Sequence, residues 1–161
     1  MTDTKPPKIY IAMACYDSVM IKTMISMTKL VKELTKAGLE WQIETVKTPF
    51  VSKARNILTA LFLRSKYDYL LFIDADVEFE PEAIIRMLVA KKDIILTPYR
   101  VKLPHDASLV KYTISFPDDK NVPILPGDLV EISEGPAGML LIHRKVFEFL
   151  MESCPRLKIK H

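Results

Sequence analysis

Tyr67-Asp68-Tyr69-Leu70-Leu71-Phe72-Ile73-Asp74-Ala75-Asp76-Val77 is the stretch that decides how this chain folds. A nearly continuous apolar run is what a parallel strand buried on both faces looks like. It ends in two carboxylates spaced i, i+2. The two-residue period of a strand puts Asp74 and Asp76 on the same side at its end. Two carboxylates so close repel unless a cation or protons offset them. Hard oxygen ligands suit Mg²⁺ or Mn²⁺, which commonly sit between one or two carboxylates and a substrate diphosphate. The same spacing also fits a polar turn after a strand, where Asp is at home. The flanking segments have to separate these readings.

Upstream, Lys8 to Ala14 (KIYIAMA) reads as a short apolar strand closed by the polar loop Cys15-Tyr16-Asp17-Ser18. Apolar residues at helical spacing, among them Ile21, Met24, Ile25, Leu30, Val31 and Leu34, predict a helix from Met20 to Ala37. Gly38 stands where a C′ glycine belongs. The methionines on that helix read as core packing. Leu39 to Val46 alternates polar and apolar residues and predicts a second strand. After the break at Pro49, Ser52 is placed to cap a helix running to about Ser65, with Ile57, Leu58, Leu61 and Phe62 inward. Downstream, Pro81 suits a helix first turn, with Glu80 and Glu82 at its positive end. That helix ends near Lys91-Lys92. Asp93 to Thr97 is a fourth strand, closed by Pro98-Tyr99-Arg100.

The first hundred residues therefore alternate strand and helix, which argues for a parallel α/β sheet. Ligands of such sheets bind outside the carboxyl ends of the strands. The Cys15–Ser18 loop, the Asp74/Asp76 pair and the Pro98–Arg100 turn all fall on that edge. From Val101 to Gly127 the character changes, with four prolines around one expected strand at Lys111 to Phe116. Leu129 to Ser133 is a further candidate strand. Gly135-Pro136-Ala137-Gly138 leads into Met139-Leu140-Leu141-Ile142, then His143-Arg144 and a last amphipathic helix with Val146, Phe147, Phe149, Leu150 and Met151.

Composition limits the partners. At 161 residues the chain is expected to form one domain, its character changing after about residue 100. Lys and Arg outnumber Asp and Glu by 23 to 20, a net +3 that suits an anionic small molecule and is too weak for a nucleic-acid surface. Cys15 and Cys154 lack any C-x-x-C or zinc spacing and read as thiols in a reducing compartment, with a single disulfide left open. Met1 to Pro7 has no apolar signal core, and no stretch approaches the roughly 18–20 apolar residues of a membrane span. A soluble, cytoplasmic protein is expected. Neither G-x-G-x-x-G nor G-x-x-x-x-G-K-[ST] occurs, which argues against a dinucleotide enzyme or a Walker-type ATPase. The G-x-S-x-G elbow of serine hydrolases is also absent.

Taken together, Ala14-Cys15-Tyr16-Asp17, the helix opening with Ala54-Arg55-Asn56, the strand into Asp74-Ala75-Asp76, Gly135-Pro136-Ala137-Gly138 and Ile142-His143-Arg144 resemble a GT-A-type glycosyltransferase. More narrowly, they are similar to the glycosyltransferase domain that chlorella-type large DNA viruses use on their capsid protein. The resemblance spans nearly the whole chain. It implies a Rossmann-like, mostly parallel central sheet flanked by helices, with a small additional β region in the C-terminal part. It also implies a viral enzyme, working in the host cytoplasm, that moves a hexosyl group from a UDP-sugar to a glycan or glycoprotein acceptor with Mn²⁺ or Mg²⁺.

Residue by residue, the resemblance gives the uracil and ribose to Ala14, Cys15, Tyr16 and Asp17, with Tyr16 stacking on the base. Arg55, with Asn56 beside it, goes to the nucleotide or its phosphates, for which a guanidinium is the natural bidentate partner. Asp74 goes to ribose or a metal-bound water, and Asp76 to direct metal ligation, which makes it the catalytic candidate; Ala75 lies between them in the donor site. His143 and His161 are the candidates for a third metal ligand. The glycines of Gly135–Gly138 are expected to let backbone approach the donor sugar or acceptor.

One departure concerns the acceptor side. The chain stops at Lys158-Ile159-Lys160-His161, and no Glu-Asp pair follows Gly138. The general base is then expected among Asp128, Glu131 and Glu134, or in sequence beyond a truncated acceptor half. A metal-dependent nucleotidyltransferase or phosphotransferase shares the same metal logic, and a non-catalytic nucleotide-binding module is the remaining alternative. A haloacid-dehalogenase phosphatase is disfavoured, because its D-x-D usually continues into Thr on the first strand and Val77 follows here.

Overall fold

The computed structural model describes residues 5–99, 112–117 and 127–154. Arg100, Lys111 and the terminal His161 lie outside the described residues. The elements are β1 (Ile9–Cys15), α1 (Ile21–Lys36), β2 (Trp41–Lys47), α2 (Val51–Arg64), β3 (Tyr69–Ile73), α3 (Pro81–Ala90), β4 (Ile94–Leu96), β5 (Met139–His143) and α4 (Arg144–Ser153). They build an α/β domain around a five-stranded sheet of order β2-β1-β3-β5-β4. No helix among the described residues is long and apolar enough to cross a membrane.

The strand β3 is buried at all five positions because both of its faces are covered. Tyr69, Leu71 and Ile73 join Ile9, Ile11 and Met13 of β1 under α1 and α3. Leu70 and Phe72, on the opposite face, join Tyr10 and Ala12 against Leu58 and Phe62 of α2, with Phe147 of α4 packed on. Alternation along each strand thus divides the core into two layers. Helix α1 stops as its glycine predicts. Gly38 takes φ +68°, its N–H donates to the Thr35 carbonyl, and the Leu39 N–H donates to the Leu34 carbonyl. That pairing is a Schellman motif, and only glycine takes this φ without strain.

The sheet departs from the sequence expectation at one place. β4 does not pair with β3. Instead β5 lies between them, antiparallel to both, with Tyr69 opposite His143 and Ile73 opposite Met139. The parallel part is β2-β1-β3. A short apolar strand carries no mark of its neighbour's direction, so the mixed arrangement was not readable.

Smaller expectations also shift. Ser52 is not a cap, because α2 already begins at Val51, and it is Thr48 Oγ1 that accepts the Phe50 N–H at 3.3 Å. Leu129 to Ser133 forms no strand. Of the strand expected at Lys111 to Phe116, the described residues show only bridge positions, at Tyr112 and at Ser115, the latter paired with Glu134. No residue of α4 is fully buried, and Phe149, Leu150 and Met151 are exposed.

At the edge of the sheet away from the carboxylates, Arg144 locks α2 to β3. It donates to the carbonyls of Tyr67 (2.7 Å), Phe62 (2.8 Å), Ser65 (3.0 Å) and Leu63 (3.3 Å). Its guanidinium also lies 4.4 Å from the Phe62 ring centroid. The carbonyls of Phe62, Leu63 and Ser65 belong to the last turn and C-cap of α2, where helical N–H partners run out, and that of Phe62 also accepts from Ser65. Arg144→Ala is expected to destabilise the fold by about 2–4 kcal/mol, since several hydrogen bonds from a charged donor are lost together. Arg144→Lys should recover less than half, because an ammonium cannot span the fork. Urea unfolding measures both, and an unchanged midpoint for Arg144→Ala would show that the lock contributes nothing.

Candidate functional site

The strand β3 ends at Ile73, one residue before the first carboxylate. Asp74 to Val77 form a turn, with the Val77 N–H donating to the Asp74 carbonyl at 3.4 Å. The two-residue strand period therefore does not set the direction of Asp74 and Asp76; the turn does. Three neighbours hold it. The Asp74 N–H donates to the Gly138 carbonyl at 2.8 Å, just ahead of β5. The Met20 N–H, at the start of α1, donates to the Ala75 carbonyl at 2.9 Å. Further along, the Phe79 N–H donates to the buried Ser26 Oγ at 3.0 Å, while Lys22 and Lys29 of α1 pair with Glu78 and Glu80.

Arg55, in the second turn of α2, reaches this turn. Its Nη2 donates to Asp74 Oδ1 at 2.8 Å and to the Ala137 carbonyl at 3.2 Å. Its guanidinium carbon lies 5.7 Å from the Phe72 ring centroid. Arg55 therefore fixes Asp74, where the sequence placed it on the nucleotide or its phosphates. Its Nε is buried without a hydrogen-bond partner among the described residues. Asp76 is exposed and makes no hydrogen bond or ion pair among the described residues.

Tyr99, three residues past β4, completes the cluster. Its hydroxyl is buried and has no hydrogen-bond partner among the described residues. Burial first, and then the Asp74 and Asp76 carboxylates, push it up to about 12, against a smaller opposing pull from Arg55. It is a protonated donor near neutrality. Gly138 makes this packing possible, because a Cβ there would collide with Tyr99 Oη and lie 2.7 Å from Asp74 Oδ2. The glycine space was expected to admit a sugar or acceptor. Protein atoms use it instead, as they do at Gly135, where Leu96 and Ile132 fill the room.

The remaining predicted residues divide into two groups. Ala14 and Cys15 end β1 on the carboxyl edge, with the Cys15 Sγ donating to the Ser18 carbonyl at 3.2 Å. Tyr16 is 72% exposed, a free ring at the mouth of that edge. Asp17 pairs with Lys47 at 2.7 Å, and Asn56 is exposed on α2. His143 is not brought to the carboxylates. It sits opposite Tyr69, at the far end of β3 from Asp74, which is about 16 Å along a strand of this rise. There its Nδ1 accepts the Lys145 N–H and caps α4, and its ring meets Tyr69 edge-on. Asp128, Glu131 and Glu134 line a cavity of about 690 Å³ beside β4.

No group of three or more His, Cys, Asp or Glu residues is assembled for a metal among the described residues. What the turn offers is Asp74 Oδ2, Asp76 and an edge open to solvent. Such a pair of hard oxygen donors fits a Mg²⁺ or Mn²⁺ ion that takes its other ligands from substrate oxygens and water. Sequence reading placed the Tyr99 turn on this edge but gave the hydroxyl no role, and it missed the Ala137 and Gly138 carbonyls. Only the position of Tyr99 just past a strand end pointed to it.

The Anp1 family model matches residues 15–115. The chain belongs to the Anp1 family. That membership supports a glycosyltransferase-type function, and the match takes in the loop after β1, Arg55 and the Asp74–Asp76 turn. No curated protein sequence matches the chain significantly. Among solved structures, A197 from STIV is 21% identical at a TM-score of 0.54, over 96% of this chain and 69% of that one. This likeness supports the fold. A 4-diphosphocytidyl-2C-methyl-D-erythritol synthase from Anaerococcus prevotii DSM 20548 is 14% identical at a TM-score of 0.47, over 96% and 80% of the two chains, too distant to bear on function.

Because Gly138 has no room for a side chain, Gly138→Ala should cost about 1–3 kcal/mol, the range for overpacking a filled site. Thermal unfolding measures it. Full wild-type stability in the alanine variant would mean that the contact between Tyr99 and Asp74 over Gly138 is looser than described.

Proposed function

We propose that this domain transfers a hexosyl group from a nucleotide-sugar, a UDP-hexose in the first instance, to an acceptor hydroxyl of a glycan, with Mn²⁺ or Mg²⁺ held at the Asp74–Asp76 turn. The observation that carries the reading is the turn itself. One carboxylate is clamped by Arg55 while Asp74 Oδ2 and Asp76 make no hydrogen bond or ion pair among the described residues, on the sheet edge where α/β proteins bind ligands.

In this reading the loop after β1 forms the nucleotide floor. Tyr16 offers a ring face to the base, and Asp17, already held by Lys47, accepts from the base or ribose. Arg55 holds Asp74 and neutralises part of the charge that two neighbouring carboxylates accumulate. Asp76 would ligate the cation directly, and Asp74 would hold a water bound to it. The bound cation would supply Lewis-acid stabilisation of the departing diphosphate. An acceptor hydroxyl needs a carboxylate to take its proton, and Asp128, Glu131 and Glu134 are the candidates within the described residues.

Calorimetry with UDP-, GDP- and dTDP-sugars, with and without Mn²⁺, tests the donor and the metal together. Mn²⁺ should tighten binding of the preferred nucleotide strongly, and Asp76→Ala should abolish the gain. Equal affinity in EDTA and in Mn²⁺ would sink the metal-bridged site. Release of free nucleoside diphosphate without pyrophosphate marks sugar transfer, whereas pyrophosphate would mark nucleotidyl transfer.

Arg55→Ala is expected to weaken Mn²⁺-dependent nucleotide binding by about 1.5–3 kcal/mol, the range for a lost hydrogen bond to a charged group. Its fold should persist, because Asp74 is part-exposed and can be solvated. An Arg55→Ala protein that unfolds while its folded fraction binds normally would make Arg55 a purely structural residue.

A further inference from the structure

Tyr99 holds a buried hydroxyl with no hydrogen-bond partner among the described residues. Buried polar groups are nearly always paired, so an orphan beside a candidate site calls for an explanation. Its surroundings are specific. Tyr99 Oη and Asp74 Oδ2 crowd the same small space over Gly138, where neither leaves room for a methyl group. Asp74 Oδ1 is already taken by Arg55, while Oδ2 accepts no hydrogen bond among the described residues. The backbone of Tyr99 is anchored on both sides: its carbonyl accepts the Thr113 N–H at 3.1 Å, and its N–H donates to Thr113 Oγ1 at 3.4 Å. The phenol is thus held beside a carboxylate oxygen, with its one proton unspent.

We propose that Tyr99 is a positioning residue for Asp74, its hydroxyl closing on Oδ2 when the site binds a divalent cation, so that Asp74 is gripped by Arg55 on one oxygen and by Tyr99 on the other. The inference rests on the metal-bridged reading above and deepens it. A carboxylate that orients a metal-bound water must itself be oriented, and outer hydrogen bonds do this for metal sites generally. Arg55 alone leaves Asp74 free to rotate about its Oδ1 contact. A donor at the second oxygen removes that freedom. It also separates the roles of the two carboxylates: Asp74 is fixed on both oxygens, and Asp76 is left as the unencumbered ligand. An apolar side chain would fill the same space without the proton, and phenylalanine is the natural comparison.

The test titrates Mn²⁺ into the wild type, Tyr99→Phe, Asp74→Asn and the double variant, each saturated with UDP, or with GDP where the wild type prefers it. Tyr99→Phe should weaken Mn²⁺ binding about 10-fold, the lower end of what outer-shell partners contribute. Nucleotide affinity without Mn²⁺ should stay the same. Metal-free thermal stability should be unchanged or slightly higher, because the variant removes an unsatisfied buried group rather than a made bond. In the double variant the loss should be no greater than in Asp74→Asn, since Tyr99 acts through Asp74. Wild-type Mn²⁺ affinity in Tyr99→Phe overturns the proposal and leaves the metal site standing. Additive losses in the double variant also overturn it, because Tyr99 would then act elsewhere. A wild type with no Mn²⁺-dependent binding overturns the metal-bridged reading and this role together.

Discussion

Asp74 is where the parts of this domain meet. Its N–H donates to the Gly138 carbonyl, which ties the end of β3 to the start of β5. Its carboxylate holds Arg55 from α2, and the next residue's carbonyl receives the first turn of α1 through Met20. One sheet edge and helices from both faces are thereby fixed within two residues. The ion pair is part-exposed, so its charge attraction is modest. The arrangement matters through geometry: the carboxylate points where the backbone bonds of the turn allow, and the backbone bonds exist because β5 lies beside β3.

How much of this was legible depends on which residues carried a local signal. The order of the first seven elements was readable because strands of alternating or continuous apolar residues and helices of 3.6-residue period leave distinct patterns. Gly38 marked its helix end because glycine takes a positive φ at no steric cost, although α3 ends on Lys91 at φ 49°. Met139 to His143 read correctly as an apolar run, yet its place between β3 and β4 and its direction did not, because register and neighbour are set by tertiary packing. His143 was drawn toward the metal by its chemistry alone. The pairing of His143 with Tyr69 carries it to the opposite end of the sheet, where a ring nitrogen satisfies a helix N–H.

The site shows the same division. Asp74, Asp76 and Arg55 stood out by residue type and spacing, and the structure brings Arg55 to Asp74. Tyr99 did not stand out, since a tyrosine after a strand is ordinary until its hydroxyl is found without a partner. The carbonyls of Ala137 and Gly138 were invisible for a different reason: backbone acceptors have no residue code. Arg144, which looked like the tail of a family motif, turns out to close the last turn of α2 against β3.

The insertion of β5 also imposes an order in time. The β2-β1-β3 sheet can pair from the first 73 residues, but β4 has no hydrogen-bonding neighbour until residues 139–143 exist. With synthesis at about 5–20 residues per second, the edge of β3 waits several seconds for its cover. During that wait an apolar, unpaired strand edge is presented to any chain nearby, the condition under which nascent sheets pair wrongly. The contact that completes the sheet is thus among the most distant in sequence, and loop closure over such a separation is the kind of contact that slows folding.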